Sequence, residues 1–200
     1  MRRMNRHDIL ALWQQRGHGA YEGEGVTQLQ HGWQCGRLAQ RAGATPALQL
    51  AAWLHDLGHL MTGLEGSPTV QGIDDRHETL AARALNRVFG PVVAEPVALH
   101  VQAKRYLVAV QPGYGHSLSP DSMRSLALQG GPMAVDEGIA FRAGPYAQDA
   151  LRLRVWDDLA KDAGLHPAGE AEALAELAAL MALVRPLESA SRGSQVDSVP

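Results

Sequence analysis

The chain has one cysteine, Cys35, in 200 residues. It can form no internal disulfide, and this usage suits a reducing cytoplasm. Aromatics are scarce, at 5% of residues, while Ala, Leu, Gln and Arg are abundant, a balance that favours helix. Neither sign of charge dominates. A formal net charge of −3 argues against a nucleic-acid or membrane-surface partner. No apolar run reaches the roughly 18 residues needed to span a bilayer. Met1 to Leu10 mixes Arg, Asn, His and Asp without an apolar centre, so it does not read as a signal peptide. Internal repeats and strand-like alternation are also lacking. None of these lacks prevents folding, because 200 residues can bury about 70% of the unfolded chain's surface. The expectation is an all-α protein with a single helical domain over 1–185 and a disordered, Ser-rich tail over 186–200.

What the chain does have is Ala51-Ala-Trp-Leu-His-Asp-Leu-Gly-His59, an apolar helical run ending in an adjacent His-Asp pair. Neighbouring side chains on a helix diverge by about 100°. His55 and Asp56 can therefore embrace one metal, or Asp56 can reach past it to a second. Gly58 is expected to end this helix.

Around that stretch the pattern reads as helices. Asn5–Gln15 is the first. Glycines at 17, 19, 23 and 25 then mark a loop carrying Tyr21 and Glu24, either an ordinary connection or a mobile lid. Val26–Arg41 follows, with Val26, Leu29 and Trp33 inward and His31 off the centre of that stripe. Thr45 and Pro46 open the helix that delivers His55. Met61–Asp75 reads as loop, with Asp75 as the cap of a helix over Arg76–Phe89 that begins with His77. Val92–Val108, kinked or restarted at Pro96, carries His100 and Lys104 one turn apart. That lysine either snorkels to solvent or binds an anion. Gln111–Ser117 is loop. Ser119 and Pro120 start a helix with Leu118 and Met123 placed as a staple, and Ser122 lies in its anion-friendly first turn. Ala134–Phe141 is a short segment. On Pro145–Asp162, Arg154 reaches Asp157 and Asp158 at i+3 and i+4, ordinarily a solvated pair worth about 0.3–0.5 kcal/mol. Gly169–Val184 is a structural helix.

Each histidine alone is explained by packing or capping. Together, His31, His55, Asp56, His77, His100 and one of Asp157 and Asp158 supply four imidazoles and two carboxylates on successive inward faces. That set suits two ions of medium hardness, Fe, Mn, Zn or Co, and the lack of thiolates disfavours structural zinc. His59, Lys104, Ser122 and Arg154 add donors suited to a phosphate or phosphonate.

The order His31, His55-Asp56, His77, His100, Asp157 resembles the HD-domain superfamily, in the subgroup with two extra histidines that holds a dinuclear site. More closely, the chain resembles the mixed-valence diiron oxygenases of phosphonate breakdown, relatives of myo-inositol oxygenase. The resemblance spans Tyr21 to Asp162. It rests on Tyr21-Glu-Gly-Glu24, Gln28-Leu-Gln-His31, Trp53-Leu-His-Asp-Leu-Gly-His59, Leu99-His-Val-Gln-Ala-Lys-Arg-Tyr106 and Arg154-Val-Trp-Asp-Asp158. It implies a helical bundle with two irons, Fe(II)/Fe(III), and O2 as co-substrate. One iron would be held by His31, His55, Asp56 and Asp157, the other by His77 and His100, with Asp56 bridging. His59, Lys104, Ser122 and Arg154 would hold a small-molecule phosphonate. Tyr21 would sit at an iron position and swing out for substrate, and Glu24 would meet the substrate's ammonium. Tyr21, Glu24 and Lys104 are thus the residues expected to take part in turnover. The implied reaction cleaves the C–P bond of 2-amino-1-hydroxyethylphosphonate to glycine and phosphate. The trimethylammonio analogue would give glycine betaine; scarce aromatics make a quaternary-ammonium cage the weaker expectation. Two rivals remain. A metal-dependent nucleotide phosphohydrolase would need only His31, His55, Asp56 and Asp157, and a non-catalytic sensor would need no turnover.

Overall fold

Side-chain caps start α1, α2, α3 and α8 of the chain's helices. The computed structural model describes residues 4–21, 23–64 and 68–184. Asn5 opens α1 (Arg6–Arg16) with a reciprocal box, accepting from the Asp8 N–H while the Asp8 carboxylate accepts from Asn5 N–H. Next comes an antiparallel ribbon of β1 (Ala20–Tyr21) and β2 (Val26–Thr27). The sequence suggested loop here, and a helix from Val26. Two-residue strands are too short to show an alternating period. Thr27 is the residue that caps α2 (Gln28–Arg41), with Gln30 closing the box.

Thr45 and Pro46 open α3 (Pro46–Leu54) as expected. The end of that helix differs from the expectation. The chain breaks at His55-Asp56 and resumes as α4 (Leu57–Thr62), so Gly58 lies inside a helix. Its reason is a close approach: a Cβ there would stand 2.0 Å from the His77 carbonyl oxygen. Gly63, at φ 66°, ends α4 instead. Asp75 does not head α5 (His77–Phe89). Arg76, at φ 49°, does, although Asp75 Oδ1 still accepts from the His77 backbone N–H at 3.3 Å.

Helix α6 (Pro91–Val110) continues through Pro96 without a break. A short α7 (Tyr114–Ser117) replaces the expected loop. Ser119 caps α8 (Pro120–Leu128), but no staple forms: Met123 is exposed, and Leu118 packs with Tyr114 and Leu126. Then follow α9 (Val135–Ala143), α10 (Ala147–Leu159) and α11 (Glu170–Leu183). The fold is all-α apart from the ribbon.

Helix α3 is the axis. Leu50, Ala51, Ala52 and Leu54 are buried on every side, and α2, α6, α10 and α11 pack around it. Helix α5 lies along α6 and α4. Trp13, Trp53, Leu57, Leu85 and Leu153 join these helices in one core, each worth about 1.5–3 kcal/mol by burial. Among the described residues, no helix is long and apolar enough to cross a membrane. The tail expected over 186–200 lies outside the described residues.

Candidate metal centre

Four buried imidazoles from separate segments converge. His31 comes from α2, His55 from the break after α3, His77 from the first turn of α5 and His100 from α6. In each, Nδ1 faces an acceptor: the carbonyl of Ala160 at 2.9 Å for His31, of Ala52 at 2.8 Å for His55 and of Val97 at 2.7 Å for His100. For His77 the acceptor is Asp75 Oδ1, at 2.9 Å. A neutral imidazole has one N–H and one lone pair. With every Nδ1–H donated outward, all four Nε2 atoms present lone pairs inward.

Those lone pairs meet in two couples. His31 and His55 Nε2 are 3.2 Å apart, and so are His77 and His100 Nε2. Facing lone pairs repel unless a cation lies between them. Asp56 stands between the couples. Its Oδ2 is 3.5 Å from His31 Nε2 and 3.3 Å from His55 Nε2. Its Oδ1 is 3.5 Å from His77 Nε2 and 3.9 Å from His100 Nε2. Oδ2 is buried and accepts no hydrogen bond. Asp157 Oδ1 completes the first group at 3.4 and 3.7 Å from the same two Nε2 atoms.

This donor set fits metal ions. Metal–nitrogen bonds of about 2.1 Å put adjacent donors about 3 Å apart, close to the spacing found. His55 shows the attraction for positive charge. Burial opposes its protonation, but Asp56 and Asp157 outweigh burial and lift it to about 10.

The structure also separates Asp157 from Asp158. Asp157 uses Oδ1 toward the imidazoles and takes a 2.7 Å bond from Arg154 Nη1 on Oδ2. Burial would raise its carboxyl, but the Arg154 guanidinium holds it well below the usual range. Asp158 turns to Arg154 Nη2 and accepts from the Tyr114 hydroxyl. Arg154 Nε donates to that same hydroxyl at 3.2 Å. The pair expected to be solvated is therefore a buried network that fixes Arg154, which is 4% exposed.

A cavity of about 580 Å³ opens beside Asp56 and His77, and Tyr21, His59, Lys104, Ser122 and Arg154 line it. Lys104 does not snorkel. It is 3% exposed and donates to Ser125 Oγ at 2.7 Å. Burial, then the nearby Arg154, push its ammonium down to about 7. His59 stacks on His77 with centroids 3.9 Å apart and donates from Nδ1 to Asp75 Oδ2 at 2.7 Å. Asp75 thus holds two histidines, one on each oxygen. Burial raises its carboxyl, but those two hydrogen bonds carry it well below its usual value.

Tyr21 stacks on His31 at 4.0 Å and 11°. Burial, then Asp56, raise its phenol well above the ordinary value. Glu24 is placed differently from the rest. It is not among the described residues lining the cavity, and its Oε1 takes a 2.8 Å bond from Lys161 Nζ.

Sequence reasoning gave Asp75 only a capping role and missed Ser125 and Lys161. Asp75, two residues before His77, was readable as a partner for it. The others gave no local signal.

No family model matches the sequence. It is 43% identical over 158 residues to hydroxymethylphosphonate dioxygenase of Gimesia maris, covering 78% of each chain. It is 35% identical over 168 residues to a glycine-betaine-forming 1-hydroxy-2-(trimethylamino)ethylphosphonate dioxygenase of Leisingera caerulea, covering 82% of this chain and 85% of that one. The chain belongs to this family of phosphonate dioxygenases. An uncharacterised protein of Acanthamoeba polyphaga mimivirus is also similar, 34% identical over 159 residues, covering 78% of this chain and 73% of that one.

Proposed function

We propose that the protein is a dinuclear iron oxygenase of the HD-domain type that breaks the C–P bond of a 1-hydroxyphosphonate with O2. One observation carries this reading: four inward Nε2 lone pairs, bridged by a buried carboxylate, stand beside a cavity lined with buried cations. His31, His55, Asp56 and Asp157 would hold the first iron, and His77 and His100, together with Asp56, would hold the second. Bound iron would supply O2 activation and the redox step.

The protein's side chains do the rest. Lys104 and Arg154 neutralise the phosphonate, Ser122 and His59 hydrogen-bond it, and the Asp75 carboxylate keeps His59 aimed. Tyr21 covers His31 until substrate arrives, and the short glycine-flanked ribbon lets it move aside. The overall change balances. The C1–P bond breaks, and C1 rises to the carboxylate level, giving up the four electrons that one O2 accepts. Both oxygen atoms end in the products, carboxylate and phosphate, with release of one proton. A 2-amino substituent makes the carbon product glycine, and a trimethylammonio substituent makes it glycine betaine.

A nucleotide phosphohydrolase would use the first ligand group alone and leave His77 and His100 without a task. The test is to mix reduced, iron-loaded protein in air with hydroxymethylphosphonate, 2-amino-1-hydroxyethylphosphonate and the trimethylammonio analogue. O2 uptake matched by phosphate release is expected for at least one of them. Phosphate released from nucleotides without O2 would instead identify a hydrolase.

A further inference from the structure

The outer nitrogen of His31 is held in a way that those of His55 and His100 are not. The carbonyls facing His55 and His100 Nδ1, those of Ala52 and Val97, lie three residues back along the same stretch of chain. The carbonyl facing His31 Nδ1 belongs to Ala160, 129 residues away in sequence. Ala160 opens the segment 160–169, which links α10 to α11 and contains neither helix nor strand. A ring bonded to its own helical turn is aimed by that turn. A ring bonded to a loop carbonyl is aimed only as well as the loop is held.

Gln34 holds this loop. It belongs to neither ligand group, but it follows His31 on α2 at i+3, so both side chains leave the helix on the same side. It is 1% exposed, and its carboxamide makes three hydrogen bonds to this one segment. Nε2 donates to the Asp162 carbonyl at 2.8 Å and to the Leu165 carbonyl at 2.6 Å, and Oε1 accepts from the Asp162 N–H at 3.1 Å. Both amide protons are thereby used. Asp162 is gripped by its N–H and its carbonyl at once, two residues beyond Ala160. On the other side the Ala160 N–H donates to the Asp157 carbonyl at 3.4 Å. One helix therefore carries both the His31 ring and the group that fixes the acceptor of that ring.

We infer that Gln34 is a positioning residue for the first ligand group. By pinning the loop to α2 it holds the Ala160 carbonyl against His31 Nδ1, and so keeps His31 Nε2 turned toward Asp56 and Asp157. Its consequence for metal affinity rests on the proposed metal-binding role of that group. Removing an outer partner of this kind typically costs about 10–100-fold in metal affinity. The loss leaves the fold intact, because Asp162 is exposed and water can take its freed backbone groups.

The test uses Gln34→Met, which removes all three hydrogen bonds, and Gln34→Glu, which keeps the shape but turns a carboxylate toward two carbonyls. Nuclear magnetic resonance of metal-free protein with isotope-labelled histidine rings reads which nitrogen bears the proton, and the His31 signal is assigned by its loss in His31→Asn. In the native protein His31 and His100 are both expected as the Nδ1–H form. In either variant His31 should become a mixture of the Nδ1–H and Nε2–H forms while His100 stays as it was. Equal change in both rings would mark a general loosening and overturn the inference. The second arm titrates Mn(II) by calorimetry into His77→Ala, which leaves the first ligand group intact. Adding Gln34→Met to it should weaken binding by about tenfold or more. A folded variant with the native His31 tautomer, or an undiminished Mn(II) affinity, overturns the inference. No Mn(II) binding at all, with the His31 tautomer still responding to Gln34, overturns the metal reading and leaves the positioning role standing.

Discussion

At the scale of single residues, shared atoms decide which substitutions act together. Asp56 turns one oxygen to each histidine couple. Asp56→Ala should therefore lose both irons, whereas His77→Ala should keep about one per chain, because His31, His55 and Asp157 are untouched. Iron analysis of the purified variants checks this, and two irons retained in Asp56→Ala would refute the bridge. Lys104 gives a pH prediction. Burial and Arg154 hold its ammonium near 7, below its ordinary value, so at higher pH it is neutral until an anion enters. Below pH 7 it is already charged. Between pH 7 and 9 a bound dianion must draw a proton onto it, and affinity should fall by up to about tenfold per pH unit. Lys104→Gln should bind inorganic phosphate more weakly and flatten that slope, read by calorimetry. The ligand candidates were legible in the sequence because they are histidines and aspartates spaced along successive helical segments, although no one of them was decisive alone. Their partners were not. Lys161 is 137 residues from Glu24, and Tyr114 is 44 from Asp158, so no local pattern links them.

At the scale of elements, the sequence marked helix starts better than ends. Thr45-Pro46 and Ser119-Pro120 begin helices as their capping chemistry requires. The end of the run at His55-Asp56 was readable, but its restart as α4 was hidden, because Gly58 reads as a terminator although Leu57 and Leu60 carry the apolar pattern onward. That break lets His55 and Asp56 address one centre while His59 points into the cavity one turn later. Gly58 permits the arrangement, and its reason lies in another helix. The close approach to the His77 carbonyl brings α4 and α5 together, so that Asp75 can hold His59 and His77 at once. Gly58→Ala forces these helices apart. A loss of about 2 kcal/mol or more in unfolding free energy is expected, together with loss of the second metal before the first. Denaturant unfolding and metal analysis of one preparation test both parts. Unchanged stability would mean that α4 and α5 yield without cost.

At the scale of the whole molecule, the interior is unusual in what it encloses. His31, His55, Asp56, His100, Lys104, Arg154 and Asp157 are each less than 5% exposed. Burying so many polar and charged groups is costly unless they are paired. The outer hydrogen bonds satisfy each Nδ1 and Arg154, but inward the four Nε2 atoms face one another in two couples, and among the described residues Asp56 Oδ2 accepts no hydrogen bond. These donors lie on α2, on α5, on α6, on α10 and at the α3–α4 break, so a cation among them ties together most of the fold. Metal loading should therefore act as a folding ligand. At a free metal concentration one hundred times the dissociation constant, the linkage is about 2.7 kcal/mol. For a chain of this size it corresponds to a rise in Tm of about 5–10 °C. Scanning calorimetry of chelator-treated protein, before and after adding Fe(II) or Mn(II) under anaerobic conditions, measures the rise. Asp56→Ala should abolish it, and Lys161→Met, which leaves every donor in place, should preserve it. An intact protein whose Tm ignores both metals would show that the converging imidazoles are held together by packing alone.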